Sequence, residues 1–469
     1  MMRRALVLAL VTGCADRVIT ISPVIDTPIG DPDADGFSGI DRIEITIAHA
    51  GDDVPVASGT FERGDLLEIA GVAFGDDLVI HIDGFDGDTK VAYGRSCAFV
   101  VDPNEPPVSP HVFFSRTQKF APTDLVTASR DGGGGISFLG SGLFVGGTVP
   151  QIERFDPATG QLALVATVSE RTGAVEALIG KSPRVVLLGG EVGGVGANFL
   201  ELIDPNRRQR PVNEYPDGHL RRIGMTATSL TDGRVIAIGG RPPPAGDPVA
   251  TVTQVALIGD VPAVDDLPRA ALAHPRAGHT ATRLGDDVGA EVLIVGGVDA
   301  AGAPIGIAEL FKPSQGVLAN PLTFAPTMIK PRSRHAAARM PDGSVLIIGG
   351  IDAAGMPVRD LERFSFDVGF TLAGTLDTAL LDATVTPLPN GRFLVAGGRS
   401  VVGGPPSNTA YIARLTDTGA LVVPDTDRLG VARAGHQAAA LCDGTILITG
   451  GAGAGATAER YNPPDVGRR

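Results

Sequence analysis

Three carboxylates stand at alternate positions in Asp31-Pro32-Asp33-Ala34-Asp35-Gly36. Calcium takes six to eight oxygen ligands, and a glycine lets the chain turn sharply around the ion. Asp31, Asp33 and Asp35 would then be ligands, with Asp41 or Glu44 closing the shell. An acidic, solvated linker is the other reading of the same residues. A second set is basic. Arg171, Arg222, Arg276, Arg332 and Arg433 each open a short recurring segment. Gathered around one mouth, their guanidiniums would attract an anionic ligand. Alternatively, each arginine bonds backbone carbonyls of a neighbouring unit. Recurrence favours that structural role, because binding sites usually break the symmetry of a repeat. The recurring His279, His335 and His436 are read in the same way.

The Asp31 stretch resembles the calcium loops of EF-hand and thrombospondin type 3 proteins, but departs from them at Pro32, Gly39 and Arg42. Other chemistry is thinly supplied. No Cys-x-x-Cys or Cys/His cluster offers a structural zinc site. The glycine run 132–135 lacks the Lys-Ser/Thr of a phosphate loop. No catalytic residue and no cofactor site follow from these patterns.

The elements that hold these residues are β-strands. Gly 63 and Pro 36 among 469 residues mark a turn-rich chain, yet 43% hydrophobic residues allow a large core. Sustained helical periodicity is missing. Net charge is −14, from 53 acidic and 39 basic residues, which argues against nucleic acid as a partner. Trp is absent, which removes the usual indole platform for sugars.

The first residues read as a processing segment. Met1-Met2-Arg3-Arg4 is a basic start, residues 5–11 are a short apolar run, and Val11-Thr12-Gly13-Cys14 resembles a bacterial lipobox. That resemblance implies cleavage after residue 13, lipid on Cys14, and a place on the outer side of a bacterial membrane. The remaining cysteines, Cys97 and Cys442, fall in different expected domains and read as two buried thiols.

Glycine doublets close apolar runs at residues 146, 189, 239, 296, 349, 397 and 450, at intervals of 43 to 57 residues. The runs, such as Val235-Ile236-Ala237-Ile238, do not alternate with polar residues, as expected of strands covered on both faces. Asp232-Gly233, Asp342-Gly343, Asn390-Gly391 and Asp443-Gly444 precede them as two-residue hairpin turns. A third strand follows each doublet, with Glu ahead of an aromatic in Glu153-Arg154-Phe155, Glu309-Leu310-Phe311, Glu362-Arg363-Phe364 and Glu459-Arg460-Tyr461.

Arg-x-Gly-His, apolar strand, Gly-Gly, then Glu-x-aromatic: this order resembles kelch repeats over residues 112 to 463, without their late tryptophan. The resemblance implies an all-β, seven-bladed propeller. Lys119-Phe120-Ala121-Pro122-Thr123 echoes Thr323-Phe324-Ala325-Pro326-Thr327, so residues 112–122 would be a fourth strand completing the last blade. The expected order is a signal segment at 1–13, a tether at 14–37, a small β-sandwich at 38–111 and the propeller at 112–469. Some kelch propellers resemble the central domain of galactose oxidase, whose copper needs Tyr and His beside a Tyr–Cys link. The four tyrosines here, Tyr93, Tyr215, Tyr411 and Tyr461, are not arranged for it.

The function expected is therefore a monomeric, non-catalytic binding or scaffold protein. Its loops at 241–252, 298–307 and 399–409 would meet a protein or glycan ligand. An extracytoplasmic oxidase or hydrolase, with its site at the channel mouth, is the alternative.

Overall fold

The computed structural model describes residues 18–463 except 53, 63, 103, 105–107, 126, 320–325, 389–390, 417–418 and 425–426. Cys14 and the first half of the second Phe-Ala-Pro-Thr copy lie outside the described residues.

The chain is all-β and propeller-like, built from successive antiparallel four-stranded sheets. The first holds Gly134–Phe138, Ser141–Val145, Gln151–Asp156 and Gln161–Thr167. The second has Thr172–Ile179, Arg184–Val192, Phe199–Ile203 and Val212–Pro216, with Val195–Gly196 added at one end. Thr226–Ser229 opens the third, Ala277–Arg283 the fourth, Ala336–Arg339 the fifth and Thr384–Leu388 the sixth. The last sheet joins Gln437–Ala440, Ile446–Thr449 and Ala458–Asn462 to Lys119–Pro122 from far upstream. Phe120 pairs with Tyr461 there, as the orphan-strand reading expects.

Opening strands touch in sequence order, and Gln437–Ala440 returns to touch Gly134–Phe138. The second strand of each sheet is covered on both faces. All four residues of Val235–Ile238, Val345–Ile348 and Ile446–Thr449 are buried, which explains their unbroken apolar character.

The glycine doublets make the joints. Gly296 and Gly297 both have left-handed backbone, φ +69° and +85°. A Cβ on Gly296 would lie 2.6 Å from the Arg332 carbonyl oxygen, and would also strike the His335 ring. One on Gly297 would lie 2.8 Å from the Ala277 carbonyl oxygen. Glycine is required on both counts. The Gly297 N–H donates to the Arg332 carbonyl of the next sheet at 3.1 Å. The same bond runs from Gly451 to Arg130 at 2.7 Å, so the last sheet is tied to the first.

The hairpins differ from expectation. In Asp232-Gly233 only the glycine is left-handed, and Leu230 bonds Arg234 across a three-residue loop. The Asp232 carboxylate accepts the Arg234 N–H at 3.1 Å, a role that needs no positive φ at the aspartate. Asp342 and Asp443 repeat it.

Ahead of these sheets lies a six-stranded one, in the order Ser115–Arg116, Thr89–Arg95, Gly75–Asp86, Arg42–His49, Pro55–Glu62, with Phe99–Val101 beside Gly75–Asp86. Residues 18–26 do not form a tether. Val18–Ile21 pairs with Ile69–Ala73, and Val24–Asp26 runs parallel to His111–Phe113. Ile21, Ile45, Ile80 and Phe114 share its core. Cys97 and Cys442 are not separate thiols; they form a disulfide 345 residues apart in sequence. Asn462 reinforces that seam, donating to the Tyr93 carbonyl at 2.8 Å and the Ser115 carbonyl at 3.0 Å.

Candidate functional site

The five recurring arginines do not form a solvent-facing rim. Arg276, Arg332 and Arg433 are wholly buried, and Arg171 and Arg222 nearly so. Arg276 donates to the Gly296 carbonyl at 3.0 Å and to the Glu309 carboxylate at 2.7 Å. That carboxylate also accepts the N–H groups of Ala273 and His274. The arginine thus clamps its own sheet, rather than a neighbour, to the turn that enters it. Arg171–Glu201, Arg332–Glu362 and Arg433–Glu459 repeat the pair, and so does Arg130–Glu153 in the first sheet. The glutamates are those of the Glu-x-aromatic signature. Burial lowers the pKa of Arg130, Arg171, Arg276 and Arg332, opposed by the glutamate beside each. Arg222 lacks a glutamate. It donates to Thr253 Oγ1, which donates onward to Asp266, and burial brings its pKa down to about 10.

The histidines are structural in the same sense. His279, His335 and His436 reach Thr226, Thr280 and Thr384 of the preceding sheet, with Nε2–Oγ1 distances of 3.2, 2.9 and 2.8 Å. Burial drives each pKa down to about 3, so the rings are neutral at pH 7. Where the histidine is lost, the threonine is lost with it: Met225 faces a joint with Val175, and Ala383 one with Ala336.

Departures from this frame converge between the fifth and sixth sheets. The left-handed residue of Arg-x-Gly-His is glycine at 132, 173, 224, 278 and 435, but Arg334 (φ +55°) and Asp382 (φ +56°) hold it here. A non-glycine residue in that region costs about 1–2 kcal/mol. The two side chains bridge the joint as an ion pair, with Arg334 Nε 3.2 Å from Asp382 Oδ1. Below them lies a cavity of about 180 Å³ lined by His335, Ala336, Ile348, Leu380, Ala383 and Val385. It occupies the joint where both the histidine and the threonine are reduced to alanine. In the sixth sheet the buried ion pair is gone as well. Leu380 stands at the position of Arg, and Tyr411 stands in register for Glu, with its hydroxyl accepting the Thr378 N–H at 3.2 Å. Loops of the same two sheets carry exposed Met356, Val401 and Val402, and Ile329 is exposed just ahead of the fifth.

A second departure lies between the first and second sheets. The opening strands carry Gly135, Glu176, Ala227, Ala281, Ala337, Val385 and Ala438 at equivalent register. Glu176 alone is ionisable. Its carboxyl fills the space that any side chain at Gly134 would need. Burial pushes its pKa up to about 7, and its own backbone N–H partly offsets this.

The Asp31 stretch is not gathered around a point. Asp31 accepts the Asp33 N–H at 2.9 Å, Asp35 the Phe37 N–H at 3.1 Å, and Asp41 the Gly87 N–H at 3.1 Å. Gly36 is needed because Phe114 packs against it, where a Cβ would lie 2.6 Å from the ring. Among the described residues no group of three or more His, Cys, Asp or Glu could hold a metal ion.

Sequence reasoning missed the Arg–Glu pairs and the cavity. The first had a signal: Glu follows Arg in every repeat but two, and the sixth repeat lacks both. No family model matches the chain, and no curated protein matches it. A solved structure titled "Structure of YjhT" is similar at 13% identity and a TM-score of 0.45, covering 62% of this chain and 93% of that one.

Proposed function

We propose that this chain is a non-catalytic binding or scaffold protein of the bacterial envelope, lipid-anchored through Cys14, whose body is a seven-bladed kelch-type propeller behind a small β-sandwich. Support for the blades is the circuit of opening strands and the Gly451–Arg130 bond that closes it. The ligand is a protein, bound where the fifth and sixth blades meet. One observation carries this reading: charged residues replace glycine at two adjacent left-handed positions, at a joint whose filling side chains have both been trimmed. Strain of this kind persists where function retains it. Exposed Met356, Val401 and Val402 on flanking loops suit a protein surface better than a glycan.

The test is capture from envelope extracts by wild type and by Arg334→Gly/Asp382→Gly, which restores the repeat's own residue. The expected result is a partner lost from the variant, with the variant at least as thermostable as wild type. Equal capture by both would refute the site. Acyl labelling that persists in Cys14→Ser would refute the anchor.

A further inference from the structure

Resting on that reading, we infer that the ligand inserts one apolar, non-aromatic side chain, presented by a peptide segment, into the cavity between the fifth and sixth sheets. The other joints set the pattern. At three of them the chain fills this space itself, with an imidazole from the later sheet against a threonine from the earlier one. At another, Met225 and Val175 occupy the equivalent places. Between the first and second sheets the positions are Gly134 and Ala174, and Glu176 fills the space; between the fifth and sixth both are alanine, and among the described residues a cavity of about 180 Å³ is left open there. An unfilled joint costs stability, because its lining loses contacts on one side. The volume is below that of sites for whole small ligands, and suits a single side chain.

The walls choose the chemistry. Ala336, Ile348, Leu380, Ala383 and Val385 are apolar, and His335 is engaged with Thr280 through Nε2, its Nδ1 having no partner. A charged or strongly polar group would have to compete with the ion pair of Arg334 and Asp382, which also line the cavity. Leu, Ile, Val or Met would not. At the mouth, Arg334 and Asp382 present a donor fork and a carboxylate to main-chain groups flanking the inserted residue. A peptide supplies both kinds of group within a few ångströms.

A display library of randomised heptapeptides, selected on the full chain, is the probe. The comparison proteins are Ala336→Thr/Ala383→His, which rebuilds the filling used elsewhere, and Ala383→Val, which fills less and asks less of its neighbours. The expected peptides share one Leu, Ile, Val or Met. They bind the rebuilt joint at least tenfold more weakly, and Ala383→Val weakens them in the same direction. Peptides that bind all three proteins equally would overturn the insertion, as would a shared position that is charged or aromatic. Recovery of no peptide, while Arg334→Gly/Asp382→Gly still loses its partner from envelope extracts, would overturn the insertion and leave the binding face standing. Failure of both experiments would remove both.

Discussion

In the fifth sheet Arg332 and Glu362 meet beneath the turn that enters it, with both side chains closed off from solvent. In the sixth sheet the corresponding neighbourhood holds Leu380 and Tyr411, and the turn's N–H is accepted by a phenol instead of a carboxylate. The backbone task is the same in both: a buried N–H needs an acceptor, and the space around it must be filled. The comparison shows that an ion pair is one of several solutions: both members are gone in the sixth sheet, whereas in the third Arg222 remains and donates to Thr253 in place of a glutamate. Removing the carboxylate alone, with nothing such as Thr253 to take its place, is worse than any of these arrangements.

Glu362→Ala should have the largest effect. It orphans Arg332 and two turn N–H groups, and should lower stability by about 3–5 kcal/mol in denaturant titration. The double change Arg332→Leu/Glu362→Tyr, copying the sixth sheet, should recover most of that loss. A double variant as unstable as the single one would break the comparison.

Glu176→Gln sharpens it at another joint, where a carboxyl is buried without a cation. Its folded pKa, about 7, lies above the ordinary 4.5, so ionisation opposes folding as pH rises through that interval. The variant should be more stable than wild type by about 2 kcal/mol at pH 8 and equal to it at pH 4. A constant difference across pH would contradict burial as the cause.

The histidines titrate with the opposite sign. Their folded pKa values, about 3, lie below 6.5, so stability present above pH 6.5 is lost as pH falls toward 3. Thermal midpoints should drop below pH 6.5, and Ala336→Thr/Ala383→His should steepen the drop by adding a further buried ring.

Tyr411→Phe leaves the Thr378 N–H without its acceptor and should cost about 1–2 kcal/mol in denaturant titration. Asp382→Gly is the smallest change. Relief of left-handed strain outweighs an exposed ion pair, so stability should rise by about 1 kcal/mol or less. A fall would mean that the Arg334 pair holds the joint together.

What could be read in the sequence was local and repeated. Gly-Gly, Arg-x-Gly-His and Glu-x-aromatic each report one joint, and Phe120 beside Tyr461 was legible because an odd fourth strand had to go somewhere. Long-range pairing within one copy left no such mark. Val18–Ile21 looked like tether because its partner, Ile69–Ala73, lies some fifty residues on. Cys97 and Cys442 gave no spacing to interpret across 345 residues. The Asp31 pattern is ambiguous as sequence, because a carboxylate capping an N–H two residues ahead produces the same alternation as a cation shell. The cavity was harder still, since it is defined by what two separated positions, 336 and 383, fail to supply.

The seam where Lys119–Pro122 lies beside Ala458–Asn462 also decides how the molecule bears load. Tension applied at the N-terminal side would reach the last sheet along the chain at this seam, beside the bonds of Asn462 to Tyr93 and Ser115. Without Cys97–Cys442, four residue pairs would have to resist it in shear; with the covalent link, part of the pull passes directly to the hairpin at Asp443. The ring should therefore stay closed under drag that would otherwise unzip its final strand.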